Sequence, residues 1–435
     1  MLPMDAMGKL SLVGGLMGLE PVEDADAGPR PGSPADWTPP DPKSRAPCGH
    51  SPVELRQAYD ASVAGARVTE VLTKGAPDPA ASLERKKHSL GVYDAVAPGG
   101  RRVALLKTLL TSACERDCFY CPFRARRNFR RATFKPEEMA TVFTQMHQAG
   151  TVTGLFLSSG IAGGGVRTQD RLIDTVDVLR RKKNFQGYVH LKLMPGVERD
   201  QVLRSMELAD RVSINLEAPN TARLAKLAPH KVFIEELLQP LKWVDEIRRT
   251  QLPHAAFKGR WPSLVTQMVV GAAGEDDLEI LTTTQYLTRQ LHLARVYFSA
   301  FSPVSDTPLE NQAPENPWRE HRLYQASFLL RDYGFDLEDL PFTSDGRLPL
   351  EHDPKLGWAN QNLRERPVEL NKADRQTLLR VPGIGPKGAD VLLAARRLGR
   401  LRELSDLKRL GISASRAAPF VLLDGRQPQH QLQLF

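Results

Sequence analysis

Three of the four cysteines in this 435-residue chain, Cys114, Cys118 and Cys121, fall within eight residues, spaced C-x3-C-x2-C. Thiolates packed this closely on one loop are a metal site. Structural zinc usually takes four protein ligands in two separated pairs, whereas this triplet stands alone and the fourth cysteine, Cys48, lies far upstream. Three thiolates suit an iron–sulfur cubane with one iron left open, and an open iron is a place where a ligand can be held and reduced. Zinc completed by a distant histidine, or a disulfide, are the alternatives. Cys48 ends a Pro- and Ala-rich stretch and is read as a bystander, or as a second reactive thiol.

Such a loop needs rigid elements to present it. Residues 103–110 (VALLKTLL), directly before it, form an apolar run of strand length. Further strand-length runs follow at 155–159, 188–194, 211–217, 266–270 and 295–300. Helical spacing covers 136–149, 170–183, 199–209, 220–228, 232–249, 276–291 and 318–333. This alternation predicts an α/β class fold, a parallel sheet with crossover helices closing into a partial (β/α)6 barrel. In such barrels chemistry gathers at the C-terminal ends of the strands. Those ends present Ser158, Ser159 and Gly160, then Lys192, then Asn215 and Glu217, then Gly271, and finally the segment from Ser299. Small and hydrogen-bonding residues recur there, as a pocket for a polar, zwitterionic ligand requires.

The cysteine triplet, with the aromatic Tyr120 just before its last member, resembles the fingerprint of the radical S-adenosylmethionine (SAM) superfamily. The resemblance implies a [4Fe–4S] cluster on Cys114, Cys118 and Cys121 whose open iron chelates SAM, and it implies the partial barrel as well. It also implies roles at the strand ends. Ser158, Ser159 and Gly160 would meet the SAM amino group, and Asn215 and Glu217 its ribose or carboxylate. Gly271 and the segment from Ser299 would lie against the adenine, with Tyr120 and Lys192 completing the cofactor-binding set. Ser159 departs from the usual second glycine, and no glutamate follows it.

After the cluster loop, residues 122–135 interleave Arg124, Arg126, Arg127, Arg130, Arg131 and Lys135 with Phe123, Phe129 and Phe134. Beside a site of chemistry this reads as a phosphate-gripping rim with stacking surfaces, Arg124, Arg126 and Arg127 contacting nucleic acid. A solvated basic loop with its phenylalanines turned inward is the plainer reading.

The net charge is +8, and from Leu363 onward there are 14 Lys/Arg against 7 Asp/Glu, so the excess is terminal. A basic terminal module points to a polyanion. Residues 368–397 (VELNKADRQTLLRVPGIGPKGADVLLAARR) predict two short helices around a tight Pro382-Gly383-Ile384-Gly385 turn, with Asn371 or Asp374 capping the first. Gly383 and Gly385 let backbone approach a ligand, and the second helix start with Lys387 forms an anion site. This resembles the helix-hairpin-helix motif, which implies contact with DNA backbone phosphates rather than bases. Residues 401–413 read as a degenerate second copy. The chain ends Gln431-Leu432-Gln433-Leu434-Phe435. A terminal QLxLF resembles the peptide by which bacterial replication and repair proteins dock on the sliding clamp, with Gln431, Leu432, Leu434 and Phe435 as clamp-binding residues.

Composition excludes little else. With 41% hydrophobic and 25% charged residues the chain has material for two or three domains. No run approaches the ~20 apolar residues of a membrane span. Residues 10–19 (LSLVGGLMGL) lack the flanks of a signal peptide and read as a short docking helix or a disordered end. Free cysteines on one loop imply a cytoplasmic protein.

The expected domains are a flexible arm (1–50), an extension packing on the barrel (51–100), the barrel (101–340), a linker (341–366), a helix-hairpin-helix DNA-binding domain that is small and all-α (367–424), and the tail (425–435). Together barrel and hairpin resemble the DNA modification or repair radical SAM proteins that carry a C-terminal helix-hairpin-helix. The resemblance implies an enzyme that generates a 5′-deoxyadenosyl radical to modify or repair a nucleotide in DNA. Its partners would be DNA, a reductase or flavodoxin-type electron donor, and the sliding clamp. An RNA-modifying radical SAM enzyme, spore-photoproduct-type lesion reversal, and a non-catalytic Fe–S DNA-binding adaptor are the rivals.

Overall fold

The structure is a computed structural model that describes residues 5–17, 90–96 and 102–429. Cys48, the 431–435 tail and most of the expected arm and extension lie outside the described residues. By contacts the described residues form two compact units: one holds those up to Glu275 together with Gln290–Asn316, the other Asp276–Arg289 and those from Pro317 on.

The first unit opens with α1 (Ala6–Met17), whose Leu10, Val13 and Met17 are fully buried at helical spacing. Lys9 pairs with Glu138 at 2.8 Å. This corrects the expectation of a flexible arm over 1–50 for residues 6–17: three large apolar side chains in register give the segment a face to bury. Strands β1 (Val92–Val96), β2 (Arg102–Leu109), β3 (Gly154–Ser158), β4 (Tyr188–Lys192), β5 (Arg211–Ser213), β6 (Ser263–Val270) and β7 (Arg295–Ala300) form one sheet in chain order. From β2 to β7 every pairing is parallel, and β1 adds an antiparallel edge with Val92 opposite Leu106. Strands β3 and β4 are buried along their whole length, as strands covered on both faces are.

Helices α2 (Pro136–Gln148), α3 (Gly165–Asp177), α4 (Arg199–Leu208), α5 (Thr221–Leu227) and α6 (Gln239–Thr250) connect the strands. The fold is therefore mixed α/β with a seven-stranded sheet. The strand and helix positions read from periodicity hold to within a few residues. Strand β5 is the exception: its ladder stops at Ser213, and the chain rejoins the sheet at Glu217 through an isolated bridge to Met268.

In the second unit, α7 (Asp277–Gln290, all but its last residue), α8 (Pro317–Asp332), α9 (Pro354–Asn362), α10 (Arg375–Arg380), α11 (Pro386–Leu398), α12 (Leu404–Arg409) and α13 (Ala414–Ala417) accompany a two-stranded parallel ribbon, β8 (Val368–Glu369) with β9 (Val421–Leu422). Residues 341–366 are not a linker. They contain α9, started by Pro354 and capped by Asp353, and its Ala359 lies in one apolar cluster with Leu378, Leu392 and Phe420. Tyr333 packs on that same cluster and Arg380 stacks 4.0 Å from the Phe335 ring, so the core of this unit begins well before residue 341.

Candidate functional site

The cysteine loop is fixed from both sides. Leaving β2, Ser112 donates its N–H to Ala132 O, Thr111 and Thr133 share a 2.6 Å hydroxyl bond, and Gly160 donates to Thr111 O at 2.7 Å. Within the loop, Glu115 N–H binds Ile161 O, and Phe119 N–H binds Leu227 O at the end of α5. Gly160 is needed for this packing, because a Cβ there would meet Ala113 O at 2.3 Å. Glu115 returns the contact: its carboxylate accepts from the N–H groups of Gly163 (3.1 Å) and Gly164 (3.3 Å), both in the left-handed region at φ +79° and +89°. Here glycine permits the turn that aims two N–H groups at one carboxylate.

One cavity of about 390 Å³ opens beneath this loop. Cys114, Cys118, Cys121 and Tyr120 line it, as do Ser158, Ser159, Gly160, Lys192, Asn215, Glu217 and Ser299. Residues from β2 through β7 reach the same space, so the sheet curls around it. Gly271 is a correction: it is absent from the lining, its N–H donates to Glu275, and its carbonyl accepts from Gln312 at 3.1 Å. Its lack of a side chain makes room for Glu315, whose carboxylate would lie 2.4 Å from a Cβ.

Sequence reasoning missed several lining residues, above all Lys107, Phe156, Lys231 and Gln267. Lysine 107 left a signal, since an ionic residue interrupts an otherwise apolar strand. Lysine 231 left none. It donates to Glu217 Oε1 at 3.0 Å, in a pair whose side chains are 10% and 6% exposed. Glu217 itself sits at φ +65°, a strained conformation for a non-glycine residue, held by N–H to Gln267 O (3.0 Å) and by Val269 N–H to its own carbonyl (2.8 Å).

Electrostatics at the loop follow from this pair. Burial pushes the Cys118 thiol up from its ordinary range, with Lys231 pulling the other way. Burial, then the Glu217 carboxylate, pushes Tyr120 well up, and Tyr120 hydrogen-bonds Glu217. For Lys231 burial alone would lower the pKa, but Cys118 and Glu217 together hold it above its ordinary value. At neutral pH the standing partner is Glu217; a metal that deprotonates Cys118 adds the second. Asp117, between the cysteines, is held low by its 2.6 Å bond to His230.

All three loop cysteines are free thiols. Among the described residues no three His, Cys, Asp or Glu side chains converge on the position of a single metal ion. A cubane takes its ligands at separate corners, and a buried cation beside Cys118 offsets thiolate charge, so these residues fit such a cluster.

The basic run after the loop divides by exposure. Arg126, Arg130 and Lys135 are exposed, and Arg127 is half-buried with Nε on Ser305 O at 3.0 Å. Arg124 is buried at 8% exposure, which corrects its expected place on a DNA-binding rim. Phe123 and Phe134 are buried too; Phe129 lies beneath the Arg131 guanidinium, 4.2 Å from its ring centre. Arg131 donates to Ser112 O (2.7 Å), Phe123 O (3.0 Å), Arg124 O (2.7 Å), Ala125 O (3.4 Å) and Arg127 O (3.2 Å). An irregular loop leaves carbonyls without partners, and this one residue satisfies five.

In the second unit, Asp374 caps α10 through Thr377 N–H at 2.7 Å, while Asn371 instead exchanges two bonds with Leu401. Gly383 lies at φ +86°, where a Cβ would meet Ser413 O at 2.7 Å, so part of its role is close packing against the 410–413 turn. No side chain caps the first turn of α11, whose N-cap is Gly385 and whose Lys387 is exposed. Lys355, on α9, donates to Ile384 O at 2.6 Å, with its ammonium 4.7 Å from the Tyr333 ring centre. Burial pushes Lys355 down to about 7.

No family model matches this chain, and no curated protein matches it. Solved structures do match. Methylornithine synthase (PylB) is 15% identical, over 54% of this chain and 64% of its own, with a TM-score of 0.42. The FeFe-hydrogenase maturase HydG from Carboxydothermus hydrogenoformans is 14% identical over 52% and 51%, also at 0.42. The radical SAM methyltransferase TsrM from Kitasatospora setae, with tryptophan substrate and a SAM analog bound, is 11% identical over 50% and 39%, at 0.36. This chain spans less than two-thirds of the length of each of these three, and likenesses with TM-scores below 0.5 carry no conclusion about its activity.

Proposed function

We propose that this chain is a radical SAM enzyme acting on a nucleotide in DNA. One observation carries the reading: three free cysteines and a ring of strand-end polar residues, chosen from sequence for separate reasons, line a single cavity. Cys114, Cys118 and Cys121 would hold a [4Fe–4S] cluster. Bound and reduced, that cluster supplies the electron that cleaves SAM to methionine and a 5′-deoxyadenosyl radical. The chain's own part is to orient and to exclude. Ser158, Ser159 and Asn215 offer polar groups in the cavity, the Glu217–Lys231 pair lies beside Cys118 and Tyr120, and buried Met194 and Phe301 keep water out.

Support for DNA as the substrate comes from the second unit. Its basic excess, the Pro382–Gly385 turn and the open first turn of α11 match a phosphate-binding hairpin. Arg126 and Arg130, exposed on the segment that follows the cysteine loop, add to the basic surface. A base in duplex DNA must leave the stack to reach such a pocket. The sliding clamp, through 431–435, and a flavodoxin-type or other reductase are the proposed protein partners.

Mass spectrometry of nucleosides from DNA incubated anaerobically with reconstituted protein, SAM and reductant tests this. A nucleoside of shifted mass is expected, and none is expected from Cys118→Ala, which should lose both cluster iron and SAM cleavage. A wild-type cluster that never cleaves SAM under reducing conditions would remove the enzyme reading.

A further inference from the structure

The turn that follows α5 is fastened to the cysteine loop at three neighbouring points. Phe119 N–H donates to Leu227 O at 2.7 Å, His230 Nδ1 donates to Asp117 Oδ1 at 2.6 Å, and the Arg116 guanidinium binds His230 O. Arg116 also pairs with Glu236 at 2.6 Å, and Glu236 in turn accepts the Val232 N–H at 2.9 Å. Lys231 N–H closes the turn onto Ala228 O at 3.0 Å. The residues on either side of Cys118 are therefore bonded to Leu227 and His230, and the next position along the chain is Lys231. Its side chain and that of Cys118 line the same cavity.

A cation sealed from water must be matched by negative charge. Glu217 supplies one charge at 3.0 Å, in a pair whose side chains are 10% and 6% exposed. Cys118, as thiolate, supplies the other. Burial aside, Lys231 is the strongest influence on the Cys118 sulfur and Cys118 the strongest on the Lys231 ammonium, ahead of the Glu217 charge in each case. Arg127 and Arg131 also face the triplet, at Cys121 and Cys114, but from partly exposed positions and with their guanidiniums bonded to loop carbonyls.

We propose that Lys231 sets the reduction potential of the cluster held by Cys114, Cys118 and Cys121, its buried charge easing entry of the one electron that SAM cleavage consumes. This rests on the cluster reading above and not on the DNA reading. Three thiolates leave an oxidised cubane net negative already, and an incoming electron adds to that charge. A fixed ammonium in a site of low dielectric stabilises the more negative state more than the less negative one, so it raises the potential towards that of a flavodoxin-type donor. The donor loses the electron and the cluster gains it; Lys231 stays protonated throughout and acts as a charge alone. Glu217 acts in the opposite sense, holding the ammonium in place while offsetting part of its effect.

Redox titration of the reconstituted full chain, without SAM or DNA, followed by the electron-spin-resonance signal of the reduced cluster, reads this potential; iron and sulfide are counted alongside. Lys231→Met should lower the reduced-to-oxidised ratio at a fixed poise by about ten-fold or more, a midpoint about 59 mV lower for one electron, while Lys231→Arg stays within about two-fold of wild type. Glu217→Gln should raise the ratio. Opposite shifts from opposite charges separate this role from a structural one, since a site merely loosened and wetted moves both variants the same way. Shifts of one sign in Lys231→Met and Glu217→Gln, or a Lys231→Met ratio within about two-fold of wild type, overturn the assignment. Should Lys231→Met alone lose its iron, Lys231→Met with Glu217→Gln is set against Glu217→Gln, two chains that differ only at the lysine. A ratio about ten-fold lower in the double variant upholds the assignment, and an equal ratio removes it. A wild-type chain that assembles no [4Fe–4S] cluster by iron and sulfide count removes the cluster reading itself, and the assignment with it.

Discussion

Each unit of this protein buries a lysine beside its candidate site, and the two are held differently. In the first unit Lys231 faces a carboxylate, Glu217, at 3.0 Å. In the second, Lys355 faces a carbonyl, Ile384 O, and the ring of Tyr333. A full opposite charge keeps the first ammonium protonated despite burial; around the second the Asp353 carboxylate is paired with Arg416, and burial pushes Lys355 down to about 7. The same side chain is thus a permanent counter-charge at the cysteine loop and a pH-sensitive strut behind the hairpin turn.

Breaking the ion pair should give the largest effect. Lys231→Met strands the Glu217 carboxylate, and losing one partner of a buried pair costs about 3–5 kcal/mol. Urea unfolding of the full chain should show that loss, and Lys231→Met with Glu217→Gln should recover most of it. If the double variant is no more stable than the single one, the carboxylate is not what Lys231 compensates.

Lysine 355 sharpens the contrast through pH. Its folded pKa, about 7, lies below the ordinary 10.5, so between these values the unfolded chain binds more protons. Stability of the second unit should therefore rise with pH from about 7 towards 10.5, by up to roughly 1.4 kcal/mol per unit. Below pH 7 the full cost of burying the ammonium is present. Hydrogen exchange of the 375–398 amides, corrected for intrinsic rates, should follow this slope in wild type and lose it in Lys355→Met. An unchanged slope in the variant would assign the effect elsewhere.

Two smaller effects concern the turn that Lys355 supports. Gly383→Ala meets both a left-handed φ and a backbone oxygen that cannot swing away, and should destabilise the second unit by about 1–3 kcal/mol in the same exchange measurement. Lys387→Ala leaves the fold intact. It should reduce the salt slope of DNA binding by about one, without changing sequence preference.

Much of this was legible in the sequence. Strand and helix positions follow from apolar period, and the cavity wall follows from reading strand ends, because a parallel sheet brings all those ends to one side. Gly271 shows the limit: it ends a strand, yet its missing side chain serves Glu315 rather than a ligand. Lys231 was invisible because its partner, fourteen positions back, is reached only once α5 folds the chain over. The basic run hid its division into exposed Arg126 and buried Arg124, since unpaired loop carbonyls, not sequence spacing, decide which cations turn inward. The 341–366 segment looked like a linker because one short helix with few large apolar residues gives a weak period.

The five carbonyls gathered by Arg131 bear on how a cluster would be acquired. A loop left to wander would have to give up its conformational freedom at the moment metal arrives, and each thiol would meet the growing cluster at low effective concentration. With the segment after Cys121 tied to Ser112 on the other side of the triplet, that ordering belongs to folding instead. The thiols then stand on a loop already ordered before any metal arrives, and Arg131, spent on backbone carbonyls, is the side chain that holds it so.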